Sequence, residues 1–191
     1  MQTVIMNELK KRMDEKRINH VLGVMTEALK LADIYHYPDK DEVIISALLH
    51  DVCKNCEKDS LNDYVLKYHL EPICLNNNAL AHGKVGAIIA KEEFGIQNKK
   101  ILDAIAFHTT GREGMSLLEK IIYISDVTEE NRDFEGIEEI RNLSYQDLDR
   151  ACLKSIEKTI INIVSKGEYL HLDTVRARNS LLIRIGGENG Q

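Results

Sequence analysis

Among the side chains of this 191-residue chain whose types can hold metal ions, six stand out in order: His20, the adjacent pair His50 and Asp51, then His82, His108 and Asp126. Imidazole and carboxylate together suit iron, manganese, zinc or nickel, and the mixture does not choose among them. Asp51 has two oxygens, so it can touch two ions while His50 beside it holds one. Two ions about 4 Å apart can activate a water and clamp both oxygens of a phosphoryl displacement. A lone His-Asp dipeptide says little; the ordered set says more.

Cationic and hydroxyl side chains lie near these six. Lys54 follows His50 by one helical turn and so can face the same cavity, as a phosphate contact that neutralises charge in the transition state; a solvated lysine is the alternative. Arg17 precedes His20 by one turn and shares its face. Arg132, followed by Asp133, comes after the Asp126 segment and could clamp a phosphate or sit in a surface ion pair. Thr109, Thr110 and Gly111 form a small polar turn that either approaches phosphate oxygens or caps a helix. Cys53-x-x-Cys56 is a lone CxxC with no βαβ pattern around it, so two reduced thiols are expected there rather than a redox pair or half a zinc site. His36, His69 and His171 show no partner pattern and read as structural or exposed. No Walker-type glycine loop occurs, and Gly83-x-x-Gly86 reads as a close helix contact. No Ser or Cys nucleophile pairs with a His, which disfavours covalent catalysis.

These side chains must be positioned by helices. Val21, Leu22, Met25, Ala28, Leu29 and Ala32 form one stripe of a helix from about Asn19 to Tyr35. Asp39 with Glu42 reads as a capping box opening a helix through Leu49, and Ser60 with Asp63 opens a short one. Further helices are expected from Asn78 to Phe94 with Gly95 at its end, from Lys99 to His108, and from Leu117 to Val127 behind Ser116 and Glu119. Ser144 with Asp147 is expected to cap a long helix to Lys166, whose stripe of Ile156, Ile160, Ile163 and Val164 reads as core. Asp173 or Thr174 starts a last helix through Ile185. Strand patterns are nearly absent. The expectation is an all-α fold, a single helical domain of seven to nine helices spanning residues 1–191. Its core is expected at about 12–182, and its loose ends are the first few residues and a flexible tail, Gly186–Gln191.

Composition agrees. Two prolines and 11 glycines are too few for the many turns of a β-sandwich. Tryptophan is absent and aromatics are 5%, so the core must be aliphatic. A net charge of −6 with no Lys/Arg block excludes a large nucleic-acid footprint. An acidic protein still binds an anionic substrate if ions and a few cations turn the local field positive. No apolar run reaches the roughly 18 residues of a membrane helix. Met1–Met13 lacks the apolar stretch of a signal peptide. Four cysteines in an otherwise ample chain point to reduced thiols and a cytoplasmic location.

The order His…His-Asp…Asp resembles the HD-domain metal-dependent phosphohydrolases, and the intervening His82 and His108 resemble the subset that holds two metals. Several blocks look like the bacterial YqeK family of symmetrical bis(5′-nucleosyl)-tetraphosphatases, which split diadenosine tetraphosphate into two ADP. They are Arg17-x-x-His20-Val21-x-Gly23-Val24, Leu48-Leu49-His50-Asp51-x-x-Lys54, Ala81-His82-Gly83-x-x-Gly86-Ala87, Ala104-Ile105-x-x-His108-Thr109-Thr110-Gly111, Met115-Ser116-x-Leu118-Glu119-Lys120 and Asn131-Arg132-Asp133-Phe134. The likeness runs from about residue 12 to 182. It departs at Ser125, where the family has Ala, and at Glu130, where the family has Pro. The resemblance implies an HD-domain helical bundle with a first metal on His20, His50, Asp51 and Asp126. A second metal would sit on His82 and His108, bridged by Asp51. It implies two divalent transition-metal ions with iron in at least one position, while manganese, nickel and zinc stay open. Catalysis would rest on Asp51 and Lys54 and a metal-bridging hydroxide. Arg17, Lys54, Thr109, Thr110 and Arg132 would contact a dinucleoside polyphosphate. Nucleic acid and membrane are not expected as partners, and a homodimer stays open. Two rivals stand: an HD-type hydrolase of nucleoside monophosphates or guanosine tetraphosphate, and a non-catalytic nucleotide-sensing protein.

Overall fold

Asp14 ends the first connection by accepting from the Arg17 backbone N–H, and this cap starts helix α2 (Glu15–Ile34) four residues before the expected start at Asn19. A computed structural model describes residues 1–188. The helices before and after α2 are α1 (Gln2–Arg12), α3 (Lys40–Leu49), α4 (Lys58–Lys67), α5 (Asn78–Glu92), α6 (Lys99–Phe107), α7 (Leu117–Thr128), α8 (Ile137–Ser144), α9 (Leu148–Ser165) and α10 (Leu172–Glu188), with one 3-10 turn at Pro72–Cys74. No strand occurs among the described residues. The fold is all-α, as expected.

Among the described residues the helix count is ten rather than seven to nine, because two segments form helices that their own patterns did not announce. The first residues are not loose: α1 buries Ile5 and Leu9, four apart on one face, in the cluster that also holds Leu48, Leu49 and Val52. The second is α8, which buries Ile137 and Ile140. Its end also corrects the long helix: Ser144 closes α8, and Asp147 caps α9 by accepting from Arg150 N–H. Lys58 rather than Ser60 opens α4. Leu172 opens α10, and the helix runs through Gly186 and Gly187, so these residues are no tail; positions 189–191 lie outside the described residues.

Caps explain most boundaries. Ser116 and Glu119 form a full capping box at α7. At α3 the box is only half made. Asp39 accepts from Asp41 N–H and Glu42 N–H, but the buried Glu42 carboxylate turns to the Tyr37 hydroxyl and the Asn98 amide instead.

The core is aliphatic and falls into two clusters. One joins α2, α7 and α9 through Val24, Leu31, Leu118, Ile121 and Ile156. The other joins α1, α3, α5 and α6 through Ile5, Leu49, Val85, Ile89 and Ile105. The α9 stripe is core only in part: Ile156 is fully buried and Ile160 packs against it, whereas Ile163 is half-buried and Val164 is 63% exposed. Beyond Ile160 the helix runs past the cluster it packs on.

Gly83 matters where α5 crosses α6. A Cβ there would stand 3.0 Å from the Ala106 carbonyl oxygen and 3.2 Å from a His108 ring carbon. Gly86 meets only ordinary contact distances, so Gly83 is the glycine that this crossing requires.

Candidate metal centre

His50 and His108 are the C-cap residues of α3 and α6, while His20 and His82 lie in the second turns of α2 and α5. Asp126 sits on the last turns of α7. Five helices thus deliver six side chains to one buried place between the two core clusters.

Each imidazole is fixed from behind. The Nδ1–H of His50 donates to the Ala47 carbonyl at 2.6 Å, that of His82 to Asn78 at 2.7 Å and that of His108 to Ile105 at 2.7 Å. His20 differs: its Nδ1–H donates to a carboxylate, Glu129 Oε1, at 3.1 Å. In the neutral rings all four Nε2 atoms are thereby left as lone pairs, the tautomer that a metal ligand needs.

Those lone pairs converge on Asp51 and divide between its two oxygens. Oδ2 is 3.6 Å from His20 Nε2 and 3.5 Å from His50 Nε2. Oδ1 is 3.3 Å from His82 Nε2 and 3.6 Å from His108 Nε2. Asp126 Oδ1 lies 3.0 Å from His20 Nε2, and His82 Nε2 lies 3.1 Å from His108 Nε2. His20, His50 and Asp126 offer atoms close enough to share an ion, and so do His50, Asp51 and His108.

The donor set fits divalent cations. His20 Nε2, His50 Nε2 and Asp51 Oδ1 are buried and lack a hydrogen-bond partner, an arrangement that costs roughly 1–3 kcal/mol per atom unless something binds there. Burial raises the Asp51 carboxyl, but the facing imidazoles of His50, His108 and His82 outweigh it and hold the group well below the usual carboxylate range. Burial also raises Asp126, and the nearby His20 ring with the His50 and Arg132 charges drives it down. For His82 burial wins and favours the neutral ring.

The cations surround this cluster. Arg17 Nη1 donates to Asp51 Oδ2 at 2.7 Å. Lys54 Nζ stands 3.3 Å from His82 Nε2. Arg132 donates to Asp126 Oδ1 at 2.6 Å and to its backbone carbonyl at 2.9 Å, so its partner is a cluster carboxylate and not Asp133. Thr109 Oγ1 is 3.3 Å from His82 Nε2 and 3.2 Å from His108 Nε2. The Thr110 hydroxyl instead donates to Gly111 O, inside the turn that closes α6. His36 and His69 are exposed, and buried His171 pairs with Glu71, so these three stay away.

Two features differ from expectation or were missed. Cys53 and Cys56 are a disulfide rather than two thiols; the tight turn after His50 brings their Cα atoms to 4.9 Å, within bridging range. Glu129 is buried and orients His20, yet nothing in its own position advertised this. The available signals were its place one turn after Asp126 and the glycine at 23, where a Cβ would fall 2.6 Å from Glu129 Oε2.

Residues 17–131 match the HD domain family model. The chain is 37% identical over 175 residues to a symmetrical bis(5′-nucleosyl)-tetraphosphatase from Bacillus subtilis, covering 91% of this chain and 94% of the relative. It is 36% identical to the protein of the same name from Halalkalibacterium halodurans, covering 92% and 94%. A crystal structure of a predicted HD superfamily hydrolase involved in NAD metabolism, from Clostridium acetobutylicum, superposes with a TM-score of 0.91 at 40% identity, covering 96% and 98%. Ligand geometry, helix order and sequence agree: the chain belongs to the HD-domain family of metal-dependent phosphohydrolases, among the symmetrical bis(5′-nucleosyl)-tetraphosphatases.

Proposed function

We propose that this protein hydrolyses diadenosine tetraphosphate symmetrically to two ADP. The observation that carries this reading is the division of Asp51: one oxygen faces His20 and His50, the other His82 and His108. Such a carboxylate can bridge two ions, with Asp126 completing the first group and His82 and His108 forming the second. The names of the relatives, with cover above nine-tenths of both chains, support the substrate. Two divalent transition-metal ions are inferred, with iron in at least one position by family likeness. When bound, they would supply Lewis acidity at the phosphoryl oxygens and a water acidic enough to be a nucleophile near neutral pH.

The chain's own side chains do the rest. Lys54 and Arg17 stand where charge accumulates on phosphoryl oxygens in a loose, in-line transition state. On substrate binding Arg17 can turn from Asp51 to a phosphate, a bidentate partner of the same sign. Arg132, aimed by Asp126, can neutralise the next phosphate. The Thr109 hydroxyl can donate to an oxygen beside His82 and His108. The leaving ADP carries its charge on a phosphate already paired with cations, so no proton donor is required.

The reading places the enzyme in the cytoplasm with its nucleotide substrate. The cysteines no longer argue for that, because Cys53 and Cys56 are paired. Incubating metal-loaded protein with a nucleotide panel and separating products by chromatography tests the function. Two ADP per diadenosine tetraphosphate is expected; turnover of a mononucleotide or guanosine tetraphosphate alone, or tight binding without turnover, overturns it. Asp51→Ala is expected to abolish turnover and bound metal together, and retained activity would remove the bridging role.

A further inference from the structure

Two cavities open beside the ligand cluster, and they share no lining residue. The first, about 740 Å³, borders the His20 end and is lined by Lys16, Arg17, Arg132 and Phe134. The second, about 390 Å³, borders the His82–His108 end, because Thr109 is part of its wall. Leu80, Ile163 and Tyr169 give it apolar surface, with the Thr159 hydroxyl beside them. Both volumes lie in the range of small-molecule sites, roughly 300–1,000 Å³.

Their charges differ. Three basic side chains line the first cavity, against Glu15, Glu129 and Asp133. No Lys or Arg lines the second, which contains Glu168. A phosphate would be poorly received there; an uncharged base and ribose would not. Tyr169 is 53% exposed, free to lay its ring against a base, and the Leu80 and Ile163 side chains supply flat apolar contact.

We propose that the second cavity is a nucleoside subsite, holding one end of a dinucleoside polyphosphate while the other end lies towards Arg17 and Arg132. This rests on the functional reading above and deepens it. With a nucleoside beyond each end of the ligand cluster, the middle of the phosphate chain is the part that meets Asp51. This cavity, with Glu168 and no Lys or Arg in its wall, then selects a ligand that ends in a nucleoside over one that ends in a bare phosphate.

The test compares diadenosine tetraphosphate with adenosine 5′-tetraphosphate, which has the same phosphates and one nucleoside. Kinetics on metal-loaded protein are paired with calorimetry of a diadenosine tetraphosphate analogue whose central bridging oxygen is a methylene. Tyr169→Ala removes the ring, and Ile163→Trp fills the space; both positions lie outside the two cores, and circular dichroism melts check the fold. Each variant is expected to raise the KM for the two-ended substrate and the Kd of the analogue about tenfold, the effect of losing one stacked base. The affinity for adenosine tetraphosphate should move by less than about twofold. Unchanged preference for the two-ended ligand in both variants, or none in the native protein, overturns the subsite. Should the native protein cleave neither compound, the functional reading falls, and analogue binding with its loss in Ile163→Trp still decides the cavity.

Discussion

Glu129 joins the ligand cluster to the loop that follows it. One carboxylate oxygen accepts from His20 Nδ1–H, and the other accepts from the backbone and side-chain N–H of Asn131, beside Arg132. The other three imidazoles lean on backbone carbonyls that no substitution can remove. Among the proposed ligands His20 is therefore the one most exposed to mutation of its support. Glu129→Gln is expected to weaken the ion on the His20 side about 10–100-fold, read as metal content after dialysis against a chelator. Occupancy equal to the native protein would show that His20 needs no carboxylate behind it. His50 sets a pH dependence. Burial lowers its pKa, but the charge of the neighbouring Asp51 outweighs that and raises it from the ordinary histidine value of 6.5. The protonated ring therefore persists above its ordinary range in the metal-free protein. It stabilises that form fully below 6.5, and the contribution is lost as pH rises through the folded value. Asp51 and Asp126 act oppositely: their contribution is present above the ordinary carboxylate range and fades as pH falls. A divalent ion at His50 must displace that proton, so manganese affinity should rise with pH and binding should release protons. Calorimetry in two buffers of different ionisation enthalpy checks this; identical apparent enthalpies would refute it.

At the scale of elements, the crossing of α5 and α6 sets the distance between His82 and His108. Gly83→Ala gains about 1 kcal/mol of helix propensity. It also drives a methyl to 3.0 Å from a backbone carbonyl and against the His108 ring, overpacking that costs about 1–3 kcal/mol. The facing atoms belong to a helix backbone, which cannot swing aside as a side-chain tip would. Overpacking should win, lowering Tm by a few degrees, about 2–4 °C per kcal/mol at this size. A Tm at or above the native value would mean that α6 yields freely. Caps were the legible part of the elements: Asp39, Ser116 and Gly95 stand at or beside the ends of α3, α7 and α5. The helices α1 and α8 were not legible, because each offers only two buried apolar residues, so tertiary packing rather than local pattern makes it a helix.

At the scale of the molecule, two aliphatic clusters flank a polar seam that contains three unpartnered buried atoms. Such a seam is a weakness until filled, and an ion that binds only the folded state repairs it. Ligand at 100 times its Kd should add about 2.7 kcal/mol. Differential scanning calorimetry with and without a chelator is expected to show a clear rise in Tm on manganese or iron loading. An unchanged Tm would mean that the six side chains do not act as one site.

Residue types and their order along the chain pick out His20, His50, Asp51, His82, His108 and Asp126 as candidates, since metal chemistry limits which side chains can serve. The same holds for an all-helical, aliphatic fold, which follows from scarce turn residues and recurrent 3–4 spacing. Partners at long sequence separation were beyond that reach. Glu129 stands 109 positions from His20, and Arg132 chooses Asp126 over the adjacent Asp133. The pairing of Cys53 with Cys56 and the outward turn of Val164 depend on how a segment meets its neighbours in space. Spacing along one helix fixes which residues share a face; only the packing of ten helices determines what that face meets.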